Sequence, residues 1–161
     1  MDFTLSDQQQ AFVDMAADFA AEELAPFALD WDQTKHFPVD TLKKAGGLGL
    51  GAICVADDVG GSGLGRLDTA LIIEALATGC PTVAAYISIH NMCATMIDRY
   101  GTPEQREAHL PALATMEALA SYCLTEPGCG SDAAALKTRA VREGDDYVLT
   151  GQKQFISGAG A

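Results

Sequence analysis

Residues 122–132 read Tyr122-Cys123-Leu124-Thr125-Glu126-Pro127-Gly128-Cys129-Gly130-Ser131-Asp132, an apolar, strand-like stretch followed by a turn rich in glycine and small polar residues. Pro127 fixes its own φ angle, and the two glycines permit conformations that place several backbone N–H groups on one concave side. Ser131 adds a hydroxyl. Such a nest of donors is typical of anion sites, so the turn is a candidate pyrophosphate site.

Further motifs stand on both sides of this turn. Downstream are Lys137-Thr138, a hairpin-like segment from Gly144 to Gly151, and Phe155-Ile156-Ser157-Gly158-Ala159-Gly160; upstream are residues 5–9, 59–65 and 100–106. In this order the motifs resemble the acyl-CoA dehydrogenases, and the resemblance covers nearly the whole chain. Residues 74–79, 85–93 and 155–160 are most similar to the isobutyryl-CoA dehydrogenases of valine breakdown.

The sequence predicts an α+β, multidomain fold, because helical periodicity changes to strand-like alternation after Met116. Residues 1–116 are expected to form a helical domain and residues 117–161 the first strands of an antiparallel β domain. The resemblance adds a C-terminal four-helix domain that is absent from this chain, and a homotetramer. Half a β domain would leave an open sheet edge, so we expect a truncated, cleaved or partial chain.

The helical boundaries follow from caps and breakers. Ser6 and Gln9 form a capping box for a first helix that ends before Pro26, and Thr102-Pro103-Glu104-Gln105 starts a helix to about Leu113. Helices are also expected near residues 39–45, 68–77 and 82–100. Strands are expected over residues 118–124, 137–142, 147–150 and 153–157.

The resemblance implies FAD-dependent α,β-dehydrogenation of a short branched-chain acyl-CoA, with electrons passed to electron-transfer flavoprotein. It places Thr125 and its neighbours along the edge of the flavin ring, and Gly130 and Ser131 at the pyrophosphate, with Ser131 also meeting the CoA of the substrate. A second flavin segment follows, in which many members carry Trp at the position of Phe155. The implied FAD-binding residues are Tyr122, Cys123, Leu124, Thr125, Gly130, Ser131, Phe155, Ile156 and Ser157.

No catalytic residue is expected within the chain. Glu126 and Asp132 flank the glycines, but both are better interpreted as acceptors that fix the loop. In the resembling family the general base is a Glu of the C-terminal domain, which would lie beyond Ala161.

Two other patterns carry weaker functional hypotheses. The glycine-rich residues 61–65 fail the dinucleotide template, because Arg66 stands where the last glycine is needed, and no Gly-Lys-Ser/Thr follows for a P-loop. A second group shares one helix, where it fits the floor of an acyl pocket and an ordinary buried core equally well: Tyr86, Ile87, Ile89 and Met92.

Composition excludes several partners. The formal net charge of −12 disfavours binding to nucleic acid and to anionic membranes. Five cysteines without a C-x-x-C pair suggest a reducing compartment. His90 and Cys93 alone make a poor metal site. No membrane span or targeting peptide is recognisable, so the expected location is the cytoplasm of a bacterium, or the mitochondrial matrix after processing.

Three alternatives remain open at this point. An acyl-CoA oxidase would pass electrons to O₂ and release peroxide. A non-catalytic subunit would need a second chain, and a pyridine-nucleotide dehydrogenase would lack a bound flavin.

Overall fold

The computed structural model describes residues 4–160, in which six α-helices precede a β-hairpin. The helices are α1 (Asp7–Phe19), α2 (Ala28–Thr34), α3 (Val39–Gly47), α4 (Arg66–Gly79), α5 (Pro81–Tyr100) and α6 (Pro103–Ala114). A π-helical turn, Ala20–Leu24, extends α1, and short 3₁₀ turns lie at Asp57–Val59 and Ala133–Ala135. The strands β1 (Arg139–Glu143) and β2 (Asp146–Thr150) pair antiparallel. This arrangement confirms the predicted fold class.

The predicted caps form as expected. The Ser6 hydroxyl accepts a hydrogen bond from the Gln9 amide at 3.2 Å, and the Gln9 side chain accepts one from the Ser6 amide at 3.1 Å. Thr102 and Gln105 make the same reciprocal pair at the start of α6. Each pair satisfies backbone donors that a helix start otherwise leaves open.

The hydrophobic core lies among α1, α3, α4 and α5. Its largest fully buried apolar side chains are Leu24, Leu42, Leu50, Ile53, Ile72, Leu76, Ile87 and Met116. A second, smaller cluster joins α6 to the loop after α3 through Ala52, Val55, Val59, Ala94, Leu110 and Leu113. Ile87 therefore belongs to the core, which decides one of the interpretations left open by the sequence.

A buried amide holds the irregular loop between α3 and α4. Asn91 of α5 accepts a hydrogen bond from the Ile53 amide at 2.7 Å and donates to the carbonyl of Leu50 at 2.7 Å. Because buried backbone groups need partners, this single side chain replaces the hydrogen bonds that the loop lacks.

Two of the four predicted strands are wrong. Residues 118–124 and 153–157 are extended or bent and form no ladder within residues 4–160. A strand needs a hydrogen-bonded neighbour, and the backbone bonds of these two segments form no ladder. The bond that bridges their neighbourhoods runs from the Gln154 amide to the carbonyl of Thr125, just after the first segment, at 2.9 Å. The other two predicted strands form β1 and β2 with small shifts of their ends.

Candidate functional site

The segment that carries the first predicted flavin motif, residues 122–131, is anchored on helix α5. The Tyr86 hydroxyl donates to the Ala120 carbonyl at 3.2 Å, and the Ala120 amide donates to Nδ1 of His90 at 3.1 Å. Nε2 of His90 lies 2.9 Å from the Leu113 carbonyl, at the end of α6. Helix α5 thus fixes the point where the chain leaves the helical region.

His90 is a structural link. Since Nδ1 accepts a hydrogen bond, the proton of the neutral ring must sit on Nε2. Burial lowers the pKa of His90 and outweighs the opposing effect of the Leu113 carbonyl, which favours this neutral form. Both ring nitrogens are therefore occupied. Within residues 4–160 no group of three His, Cys, Asp or Glu side chains is placed to hold a metal ion.

The turn after this segment is closed by two backbone hydrogen bonds. The Glu126 amide donates to the Cys129 carbonyl at 3.0 Å, and the Cys129 amide donates back at 3.1 Å. The two glycines of the turn, Gly128 and Gly130, do not adopt positive φ, and an added Cβ would meet no described atom within 4 Å. The turn itself does not require glycine here. What the glycines leave is open space beside the backbone, as a closely approaching ligand needs.

Several backbone donors in and just before this turn are unpaired. The amides of Leu124, Thr125, Gly130 and Ser131 have no hydrogen-bond partner within residues 4–160, and neither does the Thr125 hydroxyl. A set of unpaired, neutral N–H and O–H donors near two glycines that leave open space suits a flavin ring edge and a pyrophosphate. The donor chemistry of the described residues therefore fits FAD.

The other glycine-rich loop behaves differently. The amides of residues 61–64 donate to the carbonyls of Ala52, Ile53, Val55 and Ala56 at 2.8 to 3.0 Å. These amides are already hydrogen-bonded within the protein, so they are not available to bind a phosphate. The rejection of a nucleotide loop here agrees with this geometry.

Glu126 is the polar centre of the site. Its buried carboxylate accepts hydrogen bonds from the amides of Lys137 at 2.7 Å and Thr138 at 3.0 Å, and from Nζ of Lys153 at 2.9 Å. The adjacent Thr138 hydroxyl, the Lys137 amide and the Lys153 ammonium lower the pKa of Glu126 to about 2. Oγ1 of Thr138 is buried and lies beside the carboxylate without a hydrogen bond of good geometry.

These contacts confirm the prediction that Glu126 fixes the loop, since a carboxylate with three donors and so low a pKa is a poor general base at neutral pH. The corresponding prediction for Asp132 is wrong in its detail. Its side chain makes no hydrogen bond within residues 4–160, and only its backbone carbonyl accepts one, from the Ala135 amide at 3.1 Å. The local chain enters a 3₁₀ turn there, which supplies a backbone acceptor instead.

The second predicted flavin segment lies against the first. Besides the link from Gln154 to Thr125, the Ser121 hydroxyl donates to the Ser157 carbonyl at 2.6 Å. Gly158 has a φ of +78°, and a Cβ at this position would lie 2.7 Å from the Tyr86 ring. Only glycine fits this contact. The fold therefore brings residues 122–131 and 155–157 together, although their roles toward a cofactor stay predictions.

Phe155 is presented to solvent in an unusual conformation. Its φ is +58°, in the left-handed region, and 84% of its surface is exposed. Left-handed backbone is uncommon for a bulky residue, and an exposed aromatic ring gains nothing from core packing. The ring is consequently free to pack on a partner that lies outside residues 4–160.

A cleft of about 670 Å³ opens next to this face. Its walls include Trp31, Phe37 and Tyr86 from the helical region, with Ser157 and Gly158 at one side. Of the four helix α5 residues considered for an acyl pocket, Tyr86 lines this cleft. Ile87 is fully buried in the core and Met92 is exposed, so the four do not share one environment.

Comparison with known proteins identifies the family. Residues 6–117 match the "Acyl-CoA dehydrogenase, N-terminal domain" and residues 121–161 the "Acyl-CoA dehydrogenase, middle domain". The chain belongs to the acyl-CoA dehydrogenase family. It is 59% identical over 156 residues to the mitochondrial isobutyryl-CoA dehydrogenase of Bos taurus and 56% identical to that of Dictyostelium discoideum, covering 97% of this chain and 38% of each relative. The recognition made from the motifs is confirmed.

Solved structures agree with this result. A chain of the structure described as "Electron transferring flavoprotein of Acidaminococcus fermentans: Towards a mechanism of flavin-based electron bifurcation" matches with a TM-score of 0.93 and 37% identity, covering all of this chain and 43% of that chain. The structure described as "PigA with FAD and proline" matches with a TM-score of 0.88 and 34% identity over 97% of this chain and 42% of that one. The chain spans about two fifths of the length of the relatives it matches.

Sequence reasoning missed the side chains that assemble this site. Lys153 was predicted only to lie in a strand, and His90 was weighed only as a metal ligand, which was judged poor, against an ordinary buried helix residue. Both act through contacts with residues 23 to 30 positions away in sequence, which no local pattern reveals. The division between two domains at residue 117 stays a prediction.

Every helix within residues 4–160 is too short or too polar to span a membrane.

Proposed function

We propose that this chain is part of an FAD-dependent acyl-CoA dehydrogenase that converts a short branched-chain acyl-CoA, of which isobutyryl-CoA is the expected one, to the 2-enoyl-CoA. The observation that carries the proposal is the face of unpaired donors at residues 124–125 and 130–131, joined to the exposed Phe155 segment. The 59% identity to the bovine isobutyryl-CoA dehydrogenase supports the choice of substrate.

FAD would supply the two-electron acceptor when bound. Thr125 and its neighbours Tyr122, Cys123 and Leu124 would offer backbone groups and one hydroxyl to the ring edge, and Gly130 and Ser131 would offer amides to the pyrophosphate. Phe155, Ile156 and Ser157 would complete the ring site, with the Phe155 ring packing without the hydrogen bond that an indole could donate. Ser131 would also meet the CoA portion of the substrate. The structure described with FAD and proline supports the cofactor.

We infer that the α proton is taken by a base outside the described residues. Near the donor face, Glu126 is ionised but saturated by three donors, and Asp132 is exposed at the turn. We infer that a carboxylate elsewhere in the protein, or in a second copy, performs this step. What residues 122–157 contribute is binding, orientation and the stabilisation of negative charge.

The expected context follows from the relatives. Electron-transfer flavoprotein is the proposed electron acceptor, which the description of the Acidaminococcus fermentans structure supports. A homotetramer and a place in valine degradation are proposed from the family resemblance. The proposed location is the bacterial cytoplasm or the mitochondrial matrix, and the mitochondrial relatives support the latter.

Substrate profiling tests this proposal. The holoprotein that contains these residues should show its highest kcat/KM with isobutyryl-CoA when butyryl-CoA and octanoyl-CoA are compared under one electron acceptor. A preference for octanoyl-CoA would contradict the substrate assignment. Stoichiometric peroxide release in air, without reduction of electron-transfer flavoprotein, would instead indicate an oxidase.

A further inference from the structure

Lys153 contacts the backbone of the proposed flavin segment on the side opposite the Thr125 amide. Nζ of Lys153 donates to the carbonyl of Leu124 at 3.0 Å and to Oε1 of Glu126 at 2.9 Å. The Lys153 side chain is 24% exposed and that of Glu126 is 6% exposed. A lysine rarely gives up so much of its hydration unless it is well paired, and here two oxygen acceptors share its donors.

The carboxylate does not depend on this lysine for its position. Two backbone amides already hold the oxygens of Glu126, one on each. What Lys153 adds beyond them is the contact to Leu124, which ties the peptide group between Leu124 and Thr125 to the ion pair. The lysine therefore connects a buried charge to the proposed cofactor face.

The geometry of that peptide group makes the contact directional. In a trans peptide the C=O and the N–H point in opposite directions, and no cis peptide occurs within the described residues. With the Leu124 carbonyl held by Lys153, the Thr125 amide points away from the ion pair, and it has no partner within residues 4–160. A cation on the carbonyl also polarises the peptide, which makes its N–H a stronger donor.

The next peptide group is restrained as well. The Thr125 carbonyl accepts the Gln154 amide at 2.9 Å, and Gln154 directly follows Lys153. Residues 153 and 154 thus fix two successive carbonyls, one through a side chain and one through the backbone. Rotation of the Thr125 amide away from its free direction would break at least one of these contacts.

We propose that Lys153 is a positioning residue for the flavin, which orients and polarises the Leu124–Thr125 peptide so that the Thr125 amide donates to the ring edge. This role rests on the proposed function. Its consequence is that Lys153 acts on the reduced cofactor more than on the oxidised one, because a donor at the ring edge stabilises the negative charge gained on reduction.

The chain offers a matched control for a charge-removing test. Lys137 also belongs to the contacts around Glu126, but only through its backbone amide, and its side chain is exposed. Lys153→Met and Lys137→Met therefore remove the same charge and the same side-chain amine, and only the first removes the two contacts. Lys153→Arg keeps a cation and its donors at the tested position.

The experiment compares these three variants with the wild-type holoprotein in FAD affinity and in the midpoint potential of the bound flavin. Lys153→Met should weaken FAD binding by at least about tenfold and make the midpoint potential more negative, while Lys137→Met changes neither. Lys153→Arg should keep FAD affinity within about threefold of the wild type, and this variant carries the test if Lys153→Met does not fold.

Several results would overturn the inference. Weaker binding with an unchanged midpoint potential would show that Lys153 only supports the loop. Equal effects of the two methionine variants would show that net charge alone matters, and an Lys153→Arg protein that has lost FAD would exclude a role for the cation. A folded wild-type protein that binds no FAD would overturn the proposed function itself, and the Lys153 inference with it.

Discussion

The helical region and the segment that follows it are stabilised in different ways. In residues 6–116 the core-facing apolar side chains of α1, α4 and α5, such as Phe19, Ile72 and Ile87, are almost completely buried. The polar contacts of this region mainly close loops around that core. In residues 117–160 every residue of β1 and β2 is exposed, and the main buried side chain is the charged Glu126. The first region is ordered by apolar burial and the second by a few directed polar contacts.

This difference explains where the proposed chemistry lies. A closely packed region is stable, but its backbone donors are already hydrogen-bonded within the protein. The amides of residues 61–64, for example, all donate to backbone carbonyls. The segment around Glu126 leaves the amides of residues 124–125 and 130–131 unpaired. Hydrogen bonds from Lys153 and Gln154 to the carbonyls of Leu124 and Thr125 restrain part of this segment. The comparison therefore predicts large stability effects from the first region and local or cofactor-dependent effects from the second.

Truncation of a core side chain should have the largest effect on stability. Ile87→Ala should lower the free energy of unfolding by about 2–5 kcal/mol, because it removes buried methyl groups and leaves a cavity. Leu149→Ala, at a site in β2 that is 72% exposed, should change it by no more than about 0.5 kcal/mol. Denaturant titration of the holoprotein variants checks both values, and similar losses at the two sites would remove the distinction between the regions.

Two adjacent glycines in α3 sharpen the comparison further. A Cβ on Gly46 would overlap the carbonyl of Thr115, whereas a Cβ on Gly47 would meet no described atom within 4 Å. Gly46→Ala should therefore destabilise the protein by about 1–3 kcal/mol through overpacking, and Gly47→Ala should be neutral or stabilising by up to about 1 kcal/mol. Thermal unfolding of the Gly46→Ala and Gly47→Ala variants measures this difference in stability. A neutral Gly46→Ala would mean that α3 and the end of α6 are less closely packed.

Acid should loosen the second region before it unfolds the first. The pKa of Glu126 is about 2, below its ordinary value of 4.5, so its ionisation stabilises the loop fully above pH 4.5 and less as the pH falls toward 2. The amide chemical shifts of Lys137 and Thr138 should titrate with a midpoint near 2. This change should be absent in Glu126→Gln, and a midpoint near 4.5 would contradict the assigned role of the carboxylate.

The sequence predicted the helical region well because its signals are local. Ser6 with Gln9, and Thr102 with Gln105, mark helix starts through contacts three residues apart, and the predicted helices appear with ends shifted by only a few residues. Helix α2 was missed because Phe27, its N-cap, makes no side-chain cap and the helix is only 7 residues long. The π-helical turn after α1 carries no sequence signal of its own.

The second region was harder to predict because its contacts are distant in sequence. The mainly apolar run at 118–124 favours a strand, but a strand forms only with a partner, and none pairs with this segment in a ladder within residues 4–160. The turn at 126–131 was found from its glycines and Pro127. The hydrogen bond that Lys153 donates to Glu126 in this turn joins residues 27 positions apart. It depends on the folded arrangement and could not be derived from sequence spacing.

The visible absorption spectrum of the purified holoprotein is the most direct test of the proposed FAD site in residues 122–157. After incubation with FAD and gel filtration, the protein should retain about one flavin per chain, and anaerobic addition of isobutyryl-CoA should bleach the flavin bands. A folded protein that emerges without flavin absorbance would contradict the proposed cofactor site and, with it, the assignment of the free donors at Thr125, Gly130 and Ser131.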